Sequence, residues 1–128
     1  MSYKNIKIPI SKSYVFDNVL YSIVAQPGEE NTDAQGDWWE PAEIRKSAFT
    51  FMEQSRLFNL NHSAEMLPDA TLVESWVTKD SGKLGDEPYT AGSWLIGIKV
   101  SPEILDQVKR GEIGAVSIQG KGIRTEGD

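Results

Sequence analysis

The chain has 128 residues, no cysteine, one histidine and a formal net charge of -6, with an isoelectric point near 4.8. That length is about one domain, and the missing thiols exclude disulfides, zinc-thiolate centres and cysteine nucleophiles. The acidic balance disfavours a nucleic-acid or anionic-membrane surface, because phosphate binding runs on clustered Lys and Arg.

No apolar run approaches the roughly 20 residues needed to cross a bilayer. The opening MSYKNIKIPISKSY lacks the apolar centre of a signal peptide, so a soluble cytoplasmic protein is expected. One domain over 1–128 is expected, with a core at about 20–122 and residues 1–18 as an N-terminal extension. VLYSIVAQP (19–27), rich in β-branched and aromatic residues, predicts a strand that runs through Pro-Gly into the loop GEENTDAQGD. EPAEIRKSAFTFMEQSR predicts an amphipathic helix, with Pro41 at its first position and Ile44, Ala48, Phe51 and Met52 on one face.

LFNLNHS and ATLVESWVTKD predict short strands around a loop with Pro68, SGKLGDEPYTAG an exposed turn region, and SWLIGIKV a strand. SPEILDQVKRG predicts a helix with Ser101 as N-cap, Pro102 at N1, Gly111 as C-cap and Ile104, Leu105 and Val108 buried. AVSIQGKGIR predicts a last strand whose glycines mark a bulge or a close backbone approach. About five strands and two helices without regular alternation favour an α+β fold with a mainly antiparallel β core and helices outside it.

His62, the single histidine, is in phase with Phe58 and Leu60 in an extended LFNLNHS, while Asn59 and Asn61 fall on the other face. Taken alone it is a structural histidine, and the asparagines are solvated. Ser117 alternates with Val116 and Ile118; small neighbours (Gly114, Ala115, Gly120) leave room for a substrate backbone, although a strand serine has this pattern too.

By the same alternation Glu74 shares a face with Leu72 and Trp76, where an ionised carboxylate needs a partner. A histidine N–H is one candidate; an edge strand facing water is the alternative. Ser75 then faces the other way as a structural residue. Asp33 and Asp37 in TDAQGD lack the terminal glutamate of a calcium loop and are assigned to a turn. Trp38 and Trp39 are assigned to core or rim packing, and Gly120 to Gly122 is too short for a dinucleotide site.

The order DAQGD, the helix with Glu43 and Ile44, SRLFNLNH, VES, GSWLIGIKV and VKRGEIGAVSIQG resembles the XkdF-like phage serine proteases, relatives of the prohead proteases, over roughly residues 20 to 122. The resemblance implies an assemblin-like fold with a β-barrel-like core and flanking helices. It makes Ser117 the nucleophile and His62 the general base, 55 residues apart in sequence and meeting across neighbouring strands. Herpesvirus relatives use a second histidine as third member; this chain has none, and an acidic residue must substitute. Glu74 is the candidate, with Asp80 and Glu65 next. Gln119 stands where the family's SIG-like stretch has glycine.

The function implied is a prohead serine endopeptidase that cleaves scaffold and capsid proteins inside the procapsid, in the cytoplasm of a bacterial host. No cofactor, metal, nucleic acid or membrane is implied, and a homo-oligomeric state is left open. The alternative is a non-catalytic phage assembly module that keeps the fold for protein binding.

Overall fold

The computed structural model describes residues 6–9, 13–32, 36–55, 57–60, 70–112 and 115–119, with backbone alone for 6–9, 54–55, 57–60 and 115–119. Among the described residues nine strands and two helices follow one another as β1 (Ile6–Pro9), β2 (Tyr14–Phe16), β3 (Val19–Ala25), α1 (Pro41–Thr50), β4 (Leu57–Leu60), β5 (Ala70–Val77), β6 (Gly82–Leu84), β7 (Glu87–Tyr89), β8 (Trp94–Val100), α2 (Pro102–Lys109) and β9 (Ala115–Gln119). A short 3-10 turn covers Glu29–Asn31, and a π-helical turn covers Phe51–Ser55.

Every strand pair among the described residues is antiparallel, so the expected α+β class with a mainly antiparallel core is observed. Among the described residues the strands do not close into one barrel. They form a three-stranded sheet ordered β1-β9-β4, a four-stranded sheet ordered β2-β3-β8-β5, and the β6-β7 hairpin.

The four-stranded sheet carries the described core on one face. Leu20, Val24, Trp94, Ile96, Ile98 and Val100 meet Ile44, Ala48 and Phe51 from the first helical segment and Ile104 from α2. The β8 run WLIGIKV is buried at six of its seven residues: Trp94, Ile96, Ile98 and Val100 belong to the core, and on the other face the Tyr21 ring lies against Gly97. Phe51 and Trp94, both fully buried, pack with ring centroids 5.5 Å apart.

Local chemistry sets the helix ends as the sequence predicts. Pro41 opens α1, and the Glu40 N–H donates to Glu43 Oε1 at 3.0 Å. Ser101 Oγ accepts from the Ile104 N–H at 3.2 Å. Gly111, one residue beyond the α2 cap, takes φ +78°, a left-handed conformation that costs glycine little.

Two strands before residue 19 and the hairpin at 82–89 add to the five strands predicted. The β2-β3 connection is a two-residue turn, with Asp17 at φ 54° and Asn18 at φ 62°. Short polar residues tolerate that left-handed pair, and its twist matches the flanking strands. The exposed stretch 81–92 is a hairpin whose Gly85 turn lies against the Tyr14 ring. At its base, buried Thr78 donates to Thr90 O at 3.3 Å and accepts from the Ser93 N–H at 3.1 Å.

Candidate active site

Ser117 is the central residue of β9, the middle strand of the three-stranded sheet. Register puts Lys7 of β1 opposite it on one side and Asn59 of β4 on the other. The two segments expected to meet, LFNL and AVSIQ, are therefore hydrogen-bonded neighbours in the structure. His62, two residues beyond the end of β4, lies outside the described residues, as do Glu65 and Asp33.

Glu74 stands in the other large sheet, on β5. Strict alternation does not hold there: Leu72 pairs with Ile98 and Glu74 with the adjacent Gly97, so Val73 is an extra residue and the strand is bulged. The bulge separates the faces. Leu72 packs against the core, while Glu74 and Trp76 lie on the opposite face. The expectation that Glu74 sits between two apolar neighbours is corrected accordingly: its carboxylate is exposed and meets no burial cost.

Its partner is the Tyr21 hydroxyl, which donates to Glu74 Oε2 at 2.5 Å. Tyr21 is on β3 and Glu74 on β5, so the ring reaches across the intervening strand at Gly97. A Cβ on Gly97 would lie 2.9 Å from Tyr21 Cε1. Tyr14 and Trp76 flank the ring at 6.4 and 6.2 Å between centroids, Trp76 edge-on. The hydrogen bond to Glu74 pushes the Tyr21 hydroxyl above its ordinary pKa of 10.0, helped by desolvation and by the charges of Glu74 and Asp17.

Ser75 faces the core side, where its Oγ accepts from Trp94 Nε1 at 3.0 Å, a structural role as expected. Asp80, the reserve acid, is exposed beside a shallow hollow lined by Trp76, Lys79 and Tyr89. Trp39 packs against the core and Trp38 is 41% exposed, the core and rim positions expected of them. Among the described residues no group of three His, Cys, Asp or Glu side chains is placed to hold a metal ion, and no helix is long and apolar enough to cross a membrane.

Sequence reasoning passed over Lys7 and Asn59, although IKIP carries a short alternating signal, because their adjacency to Ser117 is a matter of pairing. Tyr21 was passed over for the same reason. Its partner is 53 residues away.

Comparison with known proteins adds the following. A family model described as "Putative phage serine protease XkdF" matches residues 6–126. The chain is 35% identical over 102 residues to the Phage-like element PBSX protein XkdF of Bacillus subtilis (strain 168), covering 80% of this chain and 36% of that protein. It is 32% identical over 117 residues to the Uncharacterized protein YqbD of the same organism, covering 91% of this chain and 35% of that protein. The chain spans about a third of the length of these curated relatives. No solved structure matches it.

Proposed function

The chain belongs to the XkdF family, and on that premise we propose that it is a serine endopeptidase in which Ser117 is the nucleophile and His62 the general base. His62 takes the Ser117 hydroxyl proton as Oγ attacks the scissile carbonyl. The tetrahedral intermediate then collapses, the C–N bond breaks, and the proton passes to the leaving amine. Water activated by His62 hydrolyses the acyl-enzyme and restores both groups. Glu74 is proposed as third member, holding the imidazole in one tautomer.

One observation carries the reading: β4 is paired with β9. Leu60 is opposite Val116, the neighbour of Ser117. That pairing supports the reading, because in sequence His62 follows two residues after the strand that is paired with the one carrying Ser117.

The same reading takes the two larger sheets as parts of an assemblin-like, barrel-like core. It assigns scaffold and capsid proteins as substrates, inside the assembling procapsid in the host cytoplasm.

Labelling with a fluorophosphonate followed by peptide mapping tests the chemistry. The expected result is modification at Ser117, lost in Ser117→Ala and in His62→Ala while both variants keep the wild-type circular dichroism spectrum. Absence of label at Ser117 in the folded wild-type protein would sink the reading in favour of a non-catalytic assembly module.

A further inference from the structure

The three-stranded sheet shows its pattern row by row. Ile6, Ile118 and Phe58 form one cross-strand row, and Ile8, Val116 and Leu60 another; both are apolar throughout. Between them lies Lys7, Ser117 and Asn59, polar throughout. Alternation places the apolar rows on one face of the sheet and the polar row on the other. Directly opposite residues of an antiparallel pair share a face, with Cβ atoms about 4.5 to 5.5 Å apart.

We propose that Asn59 is a catalytic residue, the side-chain N–H donor to the oxyanion formed when Ser117 attacks a carbonyl. The inference rests on the reading of Ser117 as nucleophile. Acyl transfer at a serine requires donors aimed at the developing oxyanion, and a carboxamide supplies two N–H groups without competing for the hydroxyl proton. Asn59 holds the register position beside the nucleophile, on the strand that leads three residues later to the base. Lys7, the other neighbour, is an ammonium on the opposite strand and serves as the comparison.

The test is the saturation kinetics of Ser117 labelling by a fluorophosphonate, in which the Oγ–P bond forms, the P–F bond breaks, fluoride leaves and the hydroxyl proton passes to the base. Wild type is compared with Asn59→Ala, Asn59→Val, Asn59→Asp and Lys7→Ala, each with its thermal midpoint. The first two Asn59 variants should slow the maximal labelling rate about 10²- to 10³-fold. The half-saturating concentration and the midpoint should stay close to wild type. Asn59→Asp, equal in size but without an N–H, should fall as far.

Wild-type labelling rates in the Asn59 variants would overturn the donor role while leaving Ser117 as nucleophile, and loss at Lys7→Ala alone would move that role to Lys7. Unfolding of all three Asn59 variants would make Asn59 structural. No label on wild-type Ser117 would end both this inference and the reading beneath it.

Discussion

Tyr21 donates to Glu74 across Gly97, the β8 position that carries no side chain. The relationship joins three strands in one row: Tyr21 of β3, Gly97 of β8 and Glu74 of β5. It holds the bulged β5 edge to the sheet through a side-chain hydrogen bond as well as through the ladder.

Gly97→Ala should therefore destabilise the fold. The new Cβ would meet the Tyr21 ring at 2.9 Å and Val19 Cγ1 at 3.1 Å. Crowding of this kind costs about 1 to 3 kcal/mol. Urea unfolding should show the loss, and Tyr21→Ala in the same background should recover part of it by removing the ring. Equal losses in the two backgrounds would show that the ring is not the obstacle.

The pH dependence of stability follows from the raised Tyr21 pKa. Below pH 10 the hydroxyl is protonated in both the folded and unfolded states, and its contribution is complete. As pH rises further the unfolded tyrosine ionises first, and the folded state loses that contribution as pH passes through the higher folded value. The stability difference between wild type and Tyr21→Phe should be constant from pH 7 to about 10 and shrink above it. A difference that grows with alkali would contradict the assignment.

Phe51→Ala should cost about 3 to 5 kcal/mol, the usual range for removing a buried aromatic side chain. Phe51 is fully buried against Trp94 at the end of α1. Calorimetry reads the loss as a lower midpoint. Phe49→Ala, at 46% exposure two residues earlier on α1, should change the midpoint far less.

If Glu74 positions the base, Glu74→Gln should reduce kcat for peptide cleavage strongly but incompletely, with KM little changed. Tyr21→Phe supplies the contrast, since it removes the donor that occupies Glu74 and leaves the carboxylate in place. Loss of stability in both variants with kcat unchanged would confine Glu74 to its hydrogen bond with Tyr21.

With His62 as base, the labelling rate at Ser117 should fall as pH drops from roughly 8 to 6, along a single ionisation. The chain has one histidine and no cysteine to share that titration. A rate flat from pH 8 to 5, with circular dichroism unchanged, would remove His62 from the mechanism.

The sequence by itself determined what depends on neighbours within a few residues. Pro41 and Ser101 start helices because missing or capped N–H groups are local matters, and Gly111 ends one because a left-handed residue after a helix favours glycine. The apolar run WLIGIKV announces a strand. The Asp17-Asn18 turn is local too, a polar pair between two β-rich runs in VFDNVLY, yet residues 1–18 were expected to be an extension and the turn was missed.

Tertiary structure alone decided which strands pair, in what register, and where alternation breaks. One extra residue at Val73 puts Glu74 on the face opposite Leu72, and no propensity scale sees that residue, because a bulge is defined by the partner strand. The same holds for the candidate site. Ser117 and the segment leading to His62 were legible as motifs, but Lys7 and Asn59 become its neighbours only when β1 and β4 flank β9, since cross-strand adjacency joins residues that the sequence holds 110 and 58 positions apart.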